Sequence, residues 1–208
     1  MTMKKSLIAV VCLAAFLLSG QDLVKEGDFS RLKSLDGFAM TNGAGSAGLF
    51  TEKDTGNKCV KLAISQVVKT AKGTELTAAC LWIPCTRQNR GAAVKPDTQY
   101  RFSMDLKGSK AMRVSVAAQT WDKGKGLWQG KAVSAKPGGF NVTTDWKKYE
   151  GTFKTGPQTE KAALQIQLWF DTQYGPARFA VGDHVLIDNV VVEEVKPAEA
   201  STAGEMAK

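Results

Sequence analysis

Residues 100–107 of this chain read Tyr-Arg-Phe-Ser-Met-Asp-Leu-Lys, a strict alternation of apolar and polar side chains. Successive side chains of a β-strand point to opposite faces, so this segment has one apolar face and one polar face. The same period recurs in residues 112–119 and 164–170. No stretch after the first twenty residues keeps a helical period over three turns. The sequence therefore predicts an all-β fold, a two-sheet antiparallel β-sandwich.

Short apolar segments lie at both ends of this β-rich body. Residues 22–30 read Asp-Leu-Val-Lys-Glu-Gly-Asp-Phe-Ser, and residues 185–192 read Val-Leu-Ile-Asp-Asn-Val-Val-Val. A carboxylate within an apolar strand must be paired, hydrogen-bonded or bound to a metal. Asp188 therefore marks a position that needs a specific partner.

These two ends and three internal segments together resemble the family-4/9-type carbohydrate-binding modules. Residues 95–103 (Lys-Pro-Asp-Thr-Gln-Tyr-Arg-Phe-Ser) are similar to that family's loop followed by a Tyr-x-Phe strand. Residues 145–153 (Asp-Trp-Lys-Lys-Tyr-Glu-Gly-Thr-Phe) are similar to its Trp-x-x-Tyr-x-x-x-Phe strand, and residues 55–62 to its Gly-rich entry to the second strand. The resemblance implies a galactose-binding-like jelly roll that binds polysaccharide or oligosaccharide without catalysis.

The resemblance also implies a structural Ca²⁺ ion where the first and last strands meet, held by Asp28 and Asp188. Calcium takes six to eight oxygen ligands, so two carboxylates need help, which we expect from backbone carbonyls of residues 52–58. The alternative is that Asp28 caps a turn and Asp188 accepts backbone amides at a bulge, with no ion.

The chain divides into three parts. Residues 1–20 combine Lys4 and Lys5 with a short apolar run and a small Ser-Gly pair, which is typical of a signal peptide. We therefore expect a secreted or periplasmic protein without stable membrane insertion. Residues 22–195 form the predicted binding domain, and the Pro-, Ala- and Glu-rich residues 196–208 are predicted to be a disordered tail.

Charge narrows the choice of partner. The sequence has 28 Lys and Arg against 20 Asp and Glu, a net charge of +8, which becomes +6 without the two leader lysines. A positive surface can favour acidic glycans or an anionic cell surface, but ordinary solubility is the better explanation of this charge. No run of basic residues is dense enough to predict nucleic-acid binding.

Three cysteines remain after the leader: Cys59, Cys80 and Cys85. Pro84 could turn the chain so that Cys80 and Cys85 form a disulfide, which leaves Cys59 as a small buried apolar residue. The alternative pairs Cys59 with Cys80 across neighbouring strands. No Cys-x-x-Cys spacing predicts a metal site.

The predicted ligand-binding residues lie opposite the core positions of two strands. A Trp in water is stabilised when a flat ligand face covers it, and pyranose rings present such a face with hydroxyls around it. Gln and Arg side chains supply directed hydrogen bonds to those hydroxyls. These strand positions are Arg113, Gln119, Trp121, Gln165, Gln167 and Trp169. The alternative for either Trp is that it packs beneath a loop.

Other aromatic residues have separate predictions. Trp128 and Tyr174 lie in Gly-rich segments and are the next choices for contacts at the rim of the site. Trp82, between two cysteines, fits either a core or a binding position. The family strand places the aromatic residues of 145–153 in the core: Trp146, Tyr149 and Phe153.

A catalytic role has little support in the sequence. The single histidine, His184, lies at the start of the last apolar segment, and no nucleophile motif accompanies it. Paired carboxylates for glycoside hydrolysis need only spatial proximity, but the acidic residues lie mostly in loops and on polar faces, and nothing marks two of them as a pair. We therefore predict that the protein is not an enzyme. Two alternatives remain, a jelly-roll glycoside hydrolase or lyase acting on glycosyl bonds, and an envelope protein-binding module.

Overall fold

The protein is a β-sandwich in a computed structural model that describes residues 22–36, 38–43, 45–69, 75–76, 78–168 and 179–196. Its first seven strands are β1 (Met40–Gly43), β2 (Gly45–Thr51), β3 (Lys58–Ile64), β4 (Val68–Lys69), β5 (Glu75–Leu76), β6 (Ala79–Ile83) and β7 (Ala92–Ala93). The other seven are β8 (Gln99–Gly108), β9 (Met112–Asp122), β10 (Lys131–Ser134), β11 (Phe140–Val142), β12 (Lys147–Lys154), β13 (Thr159–Leu168) and β14 (His184–Glu194). One 3-10 turn, Leu127–Gln129, lies between β9 and β10.

The strands form two main antiparallel sheets. One has seven strands in the order β1-β6-β13-β9-β10, with β7 paired to β13 and β11 paired to β9. The other has five strands in the order β12-β8-β14-β3-β2, and β4 pairs with β5 separately. The predicted two-sheet antiparallel β-sandwich is confirmed.

The core lies between the two sheets, on the faces that the alternating sequence predicted. β8, β9 and β13 each turn their apolar positions inward, and every one of these side chains is buried. Burial of this kind contributes about 25 cal/mol per Å² of apolar surface, which makes the inner faces the main source of stability. The inward residues of these strands are Tyr100, Phe102, Met104, Leu106, Met112, Val114, Val116, Ala118, Leu164, Ile166 and Leu168.

The segment before β1 lies along the last strand. The Leu23 amide donates to the Val192 carbonyl at 2.8 Å, and the Val190 amide donates to the Gly27 carbonyl at 2.9 Å. A Cβ atom at residue 27 would collide with the Val190 carbonyl, so this close approach requires glycine. Both ends of the described chain therefore lie side by side, as the sequence predicted.

The predicted disulfides are wrong, because Cys59, Cys80 and Cys85 are all free and buried. β6 holds residues 79–83 extended, so the chain runs about 10 Å away from Cys80 before it turns, whereas a disulfide needs Cα atoms within about 7 Å. Cys59 cannot reach Cys80, since the two side chains lie on the outer faces of different sheets.

Within the described ranges, no helix has the length and apolar character needed to span a bilayer. The predicted signal peptide, residues 1–20, lies outside the described residues, as does all but the first residue of the predicted tail.

Candidate functional site

The candidate site is the outer face of the seven-stranded sheet, formed by the side chains of β6, β9 and β13 that point away from the core. Directly opposite residues of antiparallel strands share a face. The register pairs Gln165 with Trp82, Gln167 with Cys80, and Ala163 with Gln119. Three predicted glutamines are therefore brought together on one surface, here called the outer face.

The glutamines of the outer face are largely shielded from solvent. Gln119 is 9% exposed and Gln165 is 8% exposed, and Gln167 is half-buried. Burial raises the pKa of the neighbouring Cys80 thiol to about 11, although the side-chain amides of Gln165 and Gln167 act in the opposite direction. The amides are therefore close to Cys80, at the centre of the face.

Trp121 lies on the outer face but has no exposed surface. Residues 122–130, here called the covering loop, pack over it, and its indole Nε1 donates to the Leu127 carbonyl at 2.8 Å. A Cβ atom at Gly130 would lie 2.6 Å from the Trp121 Nε1 atom, so the loop approaches as closely as its backbone permits. This arrangement is the loop-covered alternative that the sequence left open.

Trp128, in the covering loop, is the exposed aromatic residue of the site. Its side chain is 70% exposed, and its ring meets that of Trp82 edge to face with centroids 5.9 Å apart. Trp82 is 7% exposed and packs with Cys80, Cys85 and Trp121. The sequence left Trp82 undecided, and the structure places it on the outer face beneath Trp128.

Two buried polar atoms of the outer face have no hydrogen-bond partner. They are the indole nitrogen of Trp82 and the side-chain oxygen of Gln165, which belong to directly paired residues of β6 and β13. An unsatisfied buried polar atom costs about 1–3 kcal/mol. One is a donor and the other an acceptor, and a hydroxyl group can serve either role.

The remaining predicted contact residues have different positions. Arg113 lies at one end of β9, half-buried, and its Nε donates to the Gly138 carbonyl. Trp169 and Tyr174 lie outside the described residues, so their predicted roles stay predictions.

Asp188, in the last strand, is 5% exposed and sits on the outer side of the five-stranded sheet. Its carboxylate accepts from Asn57 Nδ2 at 2.9 Å and from the Asn189 amide at 2.7 Å. Burial raises the pKa of this carboxyl, these two hydrogen bonds lower it, and the nearby Asp105 and Asp28 raise it further, so the net shift is upward. A cation would stabilise such a group.

Asp28 is exposed and accepts from the Ser30 amide and hydroxyl at 3.3 and 3.2 Å. It lines a cleft of about 350 Å³ together with Asp22, Glu26 and Asn189. Within the described part of the chain, no three His, Cys, Asp or Glu side chains group closely enough to hold a metal. A calcium ion held by these two aspartates would therefore need most of its ligands from backbone carbonyls or water.

The comparison with family models matches residues 84–176 to a carbohydrate binding domain of the 4/9 type. The matched segment covers just under half of the chain and contains Arg113, Gln119, Trp121, Trp128 and Gln165. It contains neither Asp28 nor Asp188. The resemblance that the sequence motifs indicated is therefore confirmed over the segment that carries most of the outer face.

Solved structures share the fold at low identity. The CBM22-1 xylan-binding domain of Paenibacillus barcinonensis Xyn10C aligns with a TM-score of 0.53 and 13% identity over 86% of this chain and 98% of that one. The tandem CBM22-1-CBM22-2 structure of the same protein aligns with a TM-score of 0.54 and 12% identity, over 90% of this chain and 48% of that one. No curated protein matches the chain.

Proposed function

We propose that this protein is an exported, non-catalytic module that binds polysaccharide or oligosaccharide on the outer face of its seven-stranded sheet. The observation that carries the proposal is that two directly paired residues of the outer face each hold an unsatisfied polar atom, Trp82 Nε1 and Gln165 Oε1, and that the exposed Trp128 packs against Trp82. The match of residues 84–176 to a carbohydrate binding domain supports the same ligand class.

A sugar fits this surface in two ways. A pyranose hydroxyl both donates and accepts, so it can accept from the Trp82 indole and donate to the Gln165 carbonyl. The C–H face of the ring can cover Trp128, which is 70% exposed in its absence. Each contact replaces an unfavourable state of the free protein with a favourable one in the complex.

The chemistry of the face suits binding better than catalysis. Its central polar groups are amides, which hydrogen-bond but do not titrate near neutral pH and so cannot serve as general acid or base. A hydrolase or lyase would need suitably placed titratable groups. Incubation with a polysaccharide panel and assay for new reducing ends or unsaturated products tests this part of the proposal, and turnover would overturn it.

The test of the site is Gln165→Met, which keeps the side-chain length and removes the unsatisfied oxygen. We expect polysaccharide affinity to fall about tenfold, the scale of one lost hydrogen bond in a buried site. Thermal stability should hold or rise, because an unsatisfied buried acceptor is gone. The matched control is Gln158→Met on an exposed turn, which should change neither property.

A glycan array and retention by insoluble polysaccharides provide the readout. Affinity that is unchanged in Gln165→Met would overturn the assignment of the site, and the absence of any glycan binding would overturn the function. Capture of one specific protein in place of glycan would favour the envelope protein-binding alternative.

Export and calcium belong to the same proposal. The basic and apolar composition of residues 1–20 supports cleavage and export, which N-terminal sequencing of the protein recovered from culture medium or periplasm tests. Asp28 and Asp188 would hold a structural calcium ion that neutralises their repulsion and ties the last strand to the segment before β1.

A further inference from the structure

The charge of the protein is divided unevenly between its two sheets. The seven-stranded sheet and its loops, at residues 79–93, 112–142 and 159–168, carry eight basic and two acidic residues, a net charge of +6. The five-stranded sheet, with the loop of residues 52–57, carries eight basic and seven acidic residues, a net charge of +1. Nearly all of the excess positive charge therefore belongs to the sheet that carries the candidate site.

The two acidic residues of the seven-stranded sheet already have basic partners within it. Asp122 pairs with Lys131 at 3.1 Å, and Glu160 pairs with Arg90 at 3.4 Å. These two pairs balance the charges of Lys131 and Arg90, so the net positive charge of the sheet comes from its other six basic residues. The hydrogen-bond partner of Lys161 is neutral, since its Nζ donates to the Asn89 side chain at 3.0 Å.

The excess positive charge flanks the outer face at both ends. Lys161 is the direct cross-strand partner of Trp121, and Lys123 and Lys125 are exposed on the covering loop. Arg113 lies at the opposite end of β9, eight residues or about 27 Å from Trp121. Neutral amides and indoles thus occupy the middle, with cations on either side.

We propose that the polysaccharide bound at the outer face is anionic, carrying carboxylate or sulfate groups on its sugar rings. The inference rests on the proposed function and adds the chemical class of the ligand. Ring hydroxyls meet the amides in the middle, and the charged substituents reach the cations at the ends. Charge-assisted hydrogen bonds of Lys and Arg to such groups are about twice as strong as neutral ones.

The experiment compares charged polysaccharides with neutral counterparts of the same backbone. The probes are polygalacturonate and its carboxyl-reduced product, and a sulfated galactan and its desulfated product, measured by affinity electrophoresis or calorimetry on the full mature protein. We expect at least one charged member to bind more tightly than its counterpart. The pair that shows the difference identifies the anionic group as carboxylate or sulfate.

The dependence on salt and the effect of charge-removing variants show which residues cause the preference for anionic polysaccharide. Screening shortens from about 10 Å in 0.1 M salt to about 3 Å in 1 M, so binding of the charged probe should weaken over that range. The double variant Lys123→Gln/Lys125→Gln should weaken it about fivefold, at roughly 0.5 kcal/mol for each exposed charge. The matched control is Lys148→Gln/Lys154→Gln, two exposed lysines of β12 on the other sheet.

Each remaining outcome has a defined meaning. Equal or tighter binding of both neutral polysaccharides overturns the anionic preference and leaves the proposed function standing. An equal loss in the β12 control also overturns the inference, because the attraction would then come from the overall charge. If no polysaccharide on this panel or on the array binds, the proposed function itself is overturned.

Discussion

The outer faces of the two sheets satisfy their polar groups in opposite ways. On the five-stranded sheet, charged residues meet each other: Glu52 pairs with Lys107 at 2.7 Å and Arg101 pairs with Glu193 at 2.7 Å. On the seven-stranded sheet, the face holds amides and indoles, and Trp82 and Gln165 each leave one buried polar atom without a partner.

This difference separates a surface on which charged groups pair with one another from one on which buried polar atoms have no partner. The network on the five-stranded sheet adds a Trp146 Nε1 hydrogen bond to Glu52 at 2.9 Å, and Glu194 pairs with Lys95 at 2.7 Å. The outer face instead leaves one indole ring in solvent and two polar atoms unsatisfied below it. An incomplete surface of this kind is what ligand binding would complete.

The largest expected effect on stability comes from replacing Trp121, the fully buried residue of the outer face. Trp121→Ala removes a fully buried indole and its hydrogen bond to the Leu127 carbonyl, and should destabilise the fold by about 3–5 kcal/mol. Chemical denaturation measures this loss. A variant as stable as the wild type would mean that Trp121 is exposed and the covering loop does not pack on it.

Calcium tests whether the five-stranded side is complete without a ligand. If Asp28 and Asp188 hold the ion, calcium at a hundredfold excess over its dissociation constant should stabilise the protein by about 2.7 kcal/mol. A chelator should lower the melting temperature, and Asp188→Ala should abolish that response. A melting temperature that changes with neither calcium nor chelator would rule out the calcium site. The five-stranded side would then be stable without a ligand, unlike the outer face.

Removal of Trp128 tests the exposed part of the outer face. Trp128→Ala should weaken polysaccharide binding by about 1.5 kcal/mol, the lower end for burying a large side chain. Stability should change by less than about 0.5 kcal/mol, because the residue is 70% exposed. A large loss of stability with intact binding would show that Trp128 is a packing residue. Trp169 and Tyr174 would then be the next candidates for ligand contact.

The smallest expected effect concerns the pH dependence of the five-stranded side. The hydrogen bond from Lys107, together with those from Trp146 and Thr55, outweighs burial and lowers the pKa of Glu52 below its ordinary value of 4.5. Glu52 therefore contributes stability above pH 4.5 that is lost as the pH falls through its lower folded pKa.

Comparison with Glu52→Gln checks this sign. The wild type should be more stable by up to about 1 kcal/mol at neutral pH, and the difference should shrink below pH 4.5. A difference that grows as the pH falls would contradict the assignment.

The strands were predictable because their physics is local. In β8, β9 and β13, every second side chain is apolar, and this period alone identifies the inward face. The same alternation predicts that Gln119 and Gln165 point away from the core, and the pairing of β9 with β13 then places them on one surface.

The packing of loops over the sheets was not predictable, because the alternation of side chains along a strand carries no information about loop positions. The burial of Trp121 depends on a loop that approaches through Gly130, a contact made between segments. The position of Trp82 between two cysteines fits either face, and in the structure all five residues of β6 are buried, so burial does not alternate along this strand. Trp146 was predicted to pack in the core, whereas it hydrogen-bonds Glu52 on the outer side of the five-stranded sheet.

The edge-to-face contact between Trp82 and Trp128 gives the outer face an optical signature. Two indoles with centroids 5.9 Å apart and planes inclined at 60° couple their electronic transitions. Such coupling produces paired bands of opposite sign in circular dichroism, and it vanishes when the rings separate. A ligand that displaces Trp128 would extinguish these bands, whereas one that binds elsewhere would leave them, so the unlabelled protein can report where its ligand sits.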